Sequence, residues 1–595
     1  MCNFTTDLNI MNMKLLKNSL MFLAVASAIQ VSGANAYVEP RDTTPVDKEA
    51  WARFTAPLEF TWVSKDKHYG QFAAPDVKGR VADTTVTAWR GERIGLEALV
   101  IAGKDSGPLR VKMSNLKQGK RTVKAPGSSA AFMRYVLTTH YNTCGYPKPD
   151  LPAYTNPDMI DLPDAQVSVE ANSVRPVWCT VEVPRDIAPG AYTTTVSLVN
   201  EKGKTVSELA LNINVDSRQL PEPKDYTFYM DMWQQPYAIS RYNNVKPWSK
   251  EHFKLLEPYA DMLARMGQKT VSVILFYEPW GEQSNDKFEP MVETVKKKDG
   301  SWAYDYSVMD EYIEFMGRHG VDANISCFTM IPWDMNFRYF DESKGEYAYL
   351  KTTTDSPEYK ELWTNYLKSL VAHLKAKGWY EKSMIVMDER GLKDMMNAYR
   401  IAQEAVPGIK MSLAGNYHPE LVGELESYTV ARGDFFPEDV LKERKAKDWI
   451  SLVYVCCAQS VPNIFTNSAP ADGAYLPVYA TATGFDGLLH WSFTNWTDDP
   501  MTDSRFHMFA PGDTYFVYPD GRTSTRFERL VEGVQMSEKL RILRDELTAA
   551  RDVEGLQALE NALLPIRTGV INSYYPTSKV VNALQKQIEE LSSKK

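Results

Sequence analysis

The sequence predicts an N-terminal β-sandwich followed by a (β/α)8 TIM-like barrel and a C-terminal helical segment. Three observations lead there. Short alternating apolar runs, broken by Gly, Pro and Asn, fill the chain from about Trp51 to Val215. A Pro-rich stretch, QLPEPKD at residues 219–225, then reads as a linker. Beyond it, apolar strand-like runs alternate with segments of helical period, the pattern of βα units around a parallel sheet. The expected boundaries are 1–36 for a leader, 37–220 for the sandwich, 221–520 for the barrel and 521–595 for the helical end.

In the leader, Lys14 and Lys17 precede the apolar run 19–29, and Ala34, Asn35 and Ala36 supply a small-residue cleavage site. That is a secretory signal peptide cut near Ala36, so the protein is expected to be exported, periplasmic or secreted. The polar stretch 1–10 does not suit a signal n-region, which points to translation starting at Met11 or Met13. No other stretch approaches the roughly 20 apolar residues of a spanning helix.

In the sandwich region the strands are read from TTVTAWRGERIGLEALVIAG, RPVWCTVEVPRDIAPGAYTTTVSLVNEKG and TVSELALNINV. WRGER, residues 89–93, reads as a hairpin with solvated charges. Removal of the leader takes Cys2 with it. Of the remaining cysteines, Cys144 and Cys179 can pair in an exported protein, whereas Cys456 and Cys457 sit on an expected strand and read as buried apolar residues. The eight histidines show neither HExxH nor CxxC spacing, so neither a metal nor another cofactor is expected.

The barrel strands are expected at 228–231, 270–276, 324–329, 383–387, 410–413, 428–430, 450–455 and 487–491, the sixth carrying the weakest signal. Eight is the number that closes such a barrel. Helical period fills 250–266, 306–319, 357–377, 392–405 and 438–447. Charged helical stretches at 524–550 and 578–592 read as the last barrel helix and an appendage without evident chemistry.

Composition narrows the function. A chain of 595 residues, 44% of them hydrophobic, can bury two or three cores. A net charge of -9 with 24% charged residues leaves no electrostatic footprint for nucleic acid or an anionic membrane, and neutral substrates fit better. Aromatic content of 12%, with 14 Trp and 32 Tyr, suits sugar rings, whose apolar faces are rimmed by hydroxyls.

The densest chemistry lies in KSMIVMDERGLKD, residues 382–394, where an apolar strand runs into Asp388 and Glu389. Reaction faces of (β/α)8 barrels lie at the C-terminal strand ends. Two carboxylates so close cannot both ionise cheaply, so one pKa should rise. Other strand ends carry Asp231, Trp233 and Gln234; Tyr277, Glu278 and Trp280; Trp333 and Asp334; Asn416, Tyr417 and His418; and His490, Trp491, Asn495, Trp496 and Asp498. Aromatics beside amides and carboxylates form a carbohydrate pocket. Against this stands the plainer reading: an isolated Asp-Glu before a helix is most often an N-cap with a first-turn acid. Trp491 and Trp496 can equally be core residues, and His418 and His490 structural ones.

The signal peptide together with VPRDIAPGAYTTTVSL, MDMWQQPYAISRY, VMDER and GFDGLLHWSFTNW resembles glycoside hydrolase family 123 over nearly all of the mature chain. The resemblance implies an exo-acting β-N-acetylgalactosaminidase that removes terminal β-linked N-acetylgalactosamine from glycan or glycosphingolipid-type ends. It implies substrate-assisted, retaining catalysis in which the sugar's 2-acetamido oxygen attacks the anomeric carbon. Asp388 would orient the acetamido N–H, and Glu389 would act as acid and then base. Trp491, with Trp333 and Tyr277, would form the ring platform, and Trp233, His490 and Trp496 would line the site. Asn416, His418, Asn495 and Asp498 are the candidates for reading the axial 4-hydroxyl. Two alternatives remain open. One is a conventional retaining β-glycosidase with Glu389 as acid and a nucleophile such as Glu278. The other is a noncatalytic surface protein that binds glycans.

Overall fold

The computed structural model describes residues 37–74, 79–145, 151–569 and 571–593. The expected signal peptide lies outside the described residues. From Glu39 on, the described chain forms one compact unit. No helix among the described residues is long and apolar enough to cross a membrane.

The N-terminal half is the expected sandwich. One sheet contains Leu58–Val63, Arg93–Ala102, Ser173–Glu182, Ser129–Thr138 and Tyr154–Ile160, and the other is built around Asp83–Arg90, Thr205–Gln219, Gly190–Asn200 and Pro108–Met113. Alternation of side chains along these strands sends Phe60, Ala98, Val100, Phe132, Val177, Leu198 and Ile213 into one shared core. WRGER is not a solvated hairpin. Its two flanking strands belong to different sheets, Trp89 is buried, and Glu92 and Arg93 are ion-paired to a helix far along the chain.

The barrel strands are β1 (Tyr229–Met232), β2 (Thr270–Ile274), β3 (Asn324–Phe328), β4 (Ser383–Met387), β5 (Met411–Ala414), β6 (Ser427–Ala431), β7 (Ile450–Tyr454) and β8 (Gly487–His490). They run parallel in one sheet ordered β1-β8-β7-β6-β5-β4-β3-β2. Between β1 and β2 the ladder gives way to a lone bridge, Met230 to Gln268. Glutamine side chains replace the missing backbone pairs. Met232 N–H donates to Gln268 Oε1 at 2.8 Å, Gln268 Nε2 donates to the Thr270 carbonyl at 2.8 Å, and Ser272 N–H donates to Gln234 Oε1 at 2.7 Å. Buried amides thus satisfy backbone groups that would otherwise be orphaned.

The barrel helices are α1 (Lys250–Met266), α2 (Ser307–Arg318), α3 (Pro357–Ala376), α4 (Leu392–Ala405), the single turn α5 (Pro419–Val422), α6 (Glu438–Ala446), α7 (Ala471–Thr483) and α8 (Thr525–Ala550). Two more helices, α9 (Val553–Arg567) and α10 (Thr577–Ser593), pack against α7 and α8. A four-stranded sheet, Glu293–Lys296, Trp302–Asp305, Asn336–Asp341 and Glu346–Lys351, is inserted after β2 and β3. The sequence reading did not foresee it.

The charges of α8 from Arg526 to Lys539 are not solvated. Arg526 pairs with Asp158 at 2.9 Å, Glu528 with Arg93 at 2.7 Å, Arg529 with Asp66 at 2.8 Å and Glu532 with Lys65 at 2.8 Å, while Lys539 pairs with Glu92. All these partners belong to the sandwich half. Burial alone would push Glu528 up, but Arg93, holding it through two parallel hydrogen bonds, keeps it below the ordinary carboxylate range. The opposite face of α8 packs on α7 and α1, so this one helix serves both halves.

Candidate active site

The ends of β1 to β8 surround a cavity of about 390 Å3, within the usual range for small-molecule sites. Asp388 and Glu389 leave the end of β4 and both line it. Neither caps α4: its N-cap is Gly391, without a side-chain cap hydrogen bond.

Asp388 is half-buried and held at both oxygens. Its Oδ1 accepts the Glu389 backbone N–H at 2.8 Å, and its Oδ2 accepts the Trp280 indole N–H at 3.1 Å. Burial pushes its carboxyl up to about 6. The charge of Glu389 adds to that rise, whereas the two hydrogen bonds and Arg390 oppose it. For Asp388, desolvation outweighs the crowding by the second carboxylate.

Glu389 is exposed to the cavity, and its Oε1 accepts the Tyr454 hydroxyl from the end of β7. That hydroxyl is buried beside the carboxylates and is held far above the ordinary tyrosine range. It therefore stays a donor.

Aromatic rings form the walls. Trp233 stacks on Trp280 with ring centroids 5.7 Å apart, and both pack edge-on against Phe328. Opposite them Trp491 lies against Phe509 and donates its indole N–H to Asp513 Oδ2 at 3.2 Å. Trp333 lines the opening, 37% exposed, with the Arg390 guanidinium 4.8 Å from its ring centroid.

The sandwich half reaches the cavity too. Cys144, on the segment after Ser129–Thr138, forms a disulfide with Cys457 after β7, and both line the wall. Asn467 Nδ2 holds the same segment through the Thr139 carbonyl at 2.6 Å. The expected Cys144–Cys179 pairing is thus wrong: Cys179 is a free thiol buried in the sandwich core. Cys457 is a disulfide partner, and Cys456 is a half-buried free thiol just beyond β7 that lines the cavity, rather than a buried strand residue.

Of the residues expected to bind substrate, Trp233, Trp333, Asn416 and Trp491 line this cavity. The others do not. Tyr277 lies against Arg338, 4.1 Å from guanidinium to ring centroid, outside the lining. His418 starts α5, its backbone N–H bonded to the Tyr428 hydroxyl. His490 is buried with Nε2 3.7 Å from Asp513 Oδ1. Asn495 is buried between Asn285 and Gln283. Trp496 is 0% exposed, its indole N–H bonded to the Val517 carbonyl at 2.8 Å. Asp498 accepts from Asn285 Nδ2 on the outside. His490, Asn495, Trp496 and Asp498 spend side-chain polar atoms on other groups of the fold. Glu278, the candidate nucleophile of the conventional alternative, is also outside the lining.

Trp280, Asp513 and Tyr454 are lining residues that were not among the expected binders. Trp280 and Asp513 contact the site through long-range hydrogen bonds, and Tyr454 sits at the end of a strand that was read correctly. A strand-end position was the available signal for Tyr454 and Trp280. Asp513 follows a long loop and had none.

Residues 233–543 match the family model described as the catalytic domain of glycoside hydrolase 123, and residues 62–200 match that described as the glycoside hydrolase 123 N-terminal domain. Among solved structures, the fold is similar to that of a family 123 glycoside hydrolase from Clostridium perfringens, described for glycolipid glycan hydrolysis. The TM-score is 0.80 at 21% identity, covering 90% of this chain and 98% of that one. A β-galactosidase from Marinomonas ef1 aligns with a TM-score of 0.31 at 10% identity over 54% of this chain and 60% of its own, too weak to support an argument. No curated protein matches the chain.

Proposed function

The chain belongs to glycoside hydrolase family 123 and is a glycosidase; on that premise we propose that it releases terminal β-linked N-acetylgalactosamine from glycans of the glycolipid type, by substrate-assisted catalysis with retention. The observation that carries this reading is the adjacency of Asp388 and Glu389 on one side of one cavity. A conventional pair flanks the glycosidic bond, about 5 Å or more apart, and substrate-assisted enzymes are a recognised exception.

In the first step the Asp388 carboxylate, oriented by Trp280 and the Glu389 N–H, accepts the acetamido N–H and increases the nucleophilicity of the acetamido oxygen. That oxygen forms a bond to C1 as the bond from C1 to the leaving oxygen breaks, and Glu389 gives its proton to the leaving oxygen. In the second step water adds to C1 of the oxazolinium-like intermediate, Glu389 takes the proton, and the ring opens to restore the acetamide. Two displacements at C1 retain its configuration. Tyr454 holds Glu389 in place throughout, and the walls of Trp233, Trp280 and Trp491 exclude water from the developing charge.

Export fits the same picture: a disulfide such as Cys144–Cys457 persists in oxidising compartments. N-terminal sequencing of the mature protein should begin near Tyr37.

The test is a panel of aryl β-glycosides of N-acetylgalactosamine, N-acetylglucosamine and galactose. The wild type should cleave the first and leave the galactoside, which lacks the acetamido group, intact. Asp388→Ala should lose activity on all substrates, whereas Glu389→Gln should retain the first step with the best leaving groups. A thiazoline analogue of the intermediate should inhibit. Efficient hydrolysis of the galactoside, or a glycosyl ester trapped on the protein, would show the reading to be wrong.

A further inference from the structure

We propose that Arg390 reads a negative charge on the leaving group, so that the preferred substrates carry their terminal N-acetylgalactosamine on an acidic sugar. The inference rests on the catalytic reading of Asp388 and Glu389 given above.

Position comes first. Glu389 delivers its proton to the glycosidic oxygen, and the next residue in the chain, Arg390, lies just outside the cavity lining against Trp333, on the side from which the leaving group departs. Arg390 lies there with its guanidinium face on Trp333, 4.8 Å from the ring centroid. Trp333 is the exposed aromatic of the cavity opening. An exposed ring with a guanidinium on one face and the cavity beside it can receive the second sugar of a glycan.

Unused bonding capacity comes second. Stacking occupies the face of the guanidinium and leaves its edge. The hydrogen bond it makes, from Nη2 to the Trp333 carbonyl, is 3.4 Å long, and Arg390 forms no ion pair among the described residues. Its neighbour Lys393, by contrast, is paired to Asp355 at 2.9 Å. A planar fork with free N–H groups matches a carboxylate or sulfate.

The charge of the surroundings comes third. Four carboxylate residues line the cavity, Asp388, Glu389, Asp434 and Asp513, and no Lys or Arg does among the described residues. Asp334 adds another negative charge beside Trp333. An anion is therefore disfavoured inside the cavity, whereas Arg390, just beyond its lining on Trp333, offers a cation at the edge. The chain's overall charge of -9 disfavours acidic partners in general, and this guanidinium makes a local exception.

Arg390 also opposes the raised pKa of Asp388 and holds Trp333. Those roles affect neutral and acidic substrates alike, so the ratio of the two isolates the proposed one. The experiment measures kcat/KM of the full-length protein on GalNAcβ1-4Glc and GalNAcβ1-4GlcA, which differ only at C6, and on an uncharged aryl β-GalNAc. The wild type should prefer the glucuronic acid compound by about tenfold, the equivalent of one charge-assisted hydrogen bond. The preference should shrink as ionic strength rises. Arg390→Gln should bring the ratio to one or below, and Arg390→Lys should keep part of it. A 6-O-sulfated glucose in the same position tests the second anion: equal gains show that Arg390 takes either anion, and a gain for the carboxylate alone shows that the site is shaped for an acid at C6. A wild-type ratio of one or less, or an unchanged ratio in Arg390→Gln, overturns the proposal while aryl hydrolysis leaves the catalytic reading standing. Failure to cleave the aryl substrate overturns both.

Discussion

The indole N–H of Trp280 and the carboxylate of Asp388 meet at 3.1 Å, joining the loop after β2 to the end of β4. The bond favours the ionised form of a group that burial pushes up to about 6. If Asp388 works as a carboxylate, kcat/KM should rise with pH through an acid limb near 6. Trp280→Phe removes a donor to the charged form, so its limb should move to higher pH by about one unit. A pH profile on an aryl β-GalNAc checks this; an unshifted limb would detach Asp388 from the rate.

Stability should move the opposite way from activity at the same residue. A carboxyl raised from its ordinary value is less easily ionised in the fold than in the unfolded chain. Its charge is therefore a cost above about pH 6 that fades as pH falls through 6 towards 4. Asp388→Asn should abolish turnover and stabilise the protein by about 1–3 kcal/mol at neutral pH. Denaturant unfolding at pH 7.5 and pH 4 should show the gain shrinking at the lower value.

Tyr454→Phe should lower kcat by roughly tenfold or more, because the Glu389 carboxyl loses a charge-assisted bond in a partly dry site. KM and melting temperature should change little. Equal loss in kcat and stability would mean the hydroxyl braces the barrel instead.

Two tryptophans five residues apart should behave differently. Trp491 lines the cavity, so Trp491→Ala should raise KM at near-constant stability. Trp496 is enclosed by Tyr242 and Tyr259, and Trp496→Ala should cost about 3–5 kcal/mol in urea unfolding.

Non-reducing peptide mapping should recover Cys144 linked to Cys457 and Cys179 as a free thiol. Cys144→Ser should raise KM, since it frees a wall of the cavity, and should cost about 3–5 kcal/mol of stability. Unchanged KM would separate that wall from substrate.

The parallel strands were legible because a strand buried on both faces reads as a continuous apolar run. SMIVM, Ser383–Met387, is bounded by charges on both sides and was placed residue for residue. α1 and α4 were equally clear, having one apolar stripe each. α7 was not: ADGAYLPVYATAT is buried nearly all round, carries an internal Pro477 and shows no helical stripe. The inserted sheet was missed because its strands, such as WAYD and EYAYLK, are short and half-exposed, and the βα pattern explained the flanking chain without them. Within the site, Asp388 and Glu389 stood out by adjacency. The hydrogen bonds that tune them come from residues 108 and 65 positions away, and the disulfide spans 313. No local pattern encodes such pairings. Trp496 and His490 were expected to bind substrate because a strand end does not reveal which way its side chains turn.

α8 has a consequence for anyone who would dissect this enzyme. Arg526, Glu528, Arg529, Glu532 and Lys539 answer charges on the N-terminal half, and deleting that half would strand Glu528, Lys539 and Arg526 without counter-ions in a place water scarcely reaches. The barrel would not be a catalytic core relieved of an accessory part; it would be a fold missing the other half of its eighth wall. Neither half is portable, and a chimera that exchanges one must carry the matching helix with it.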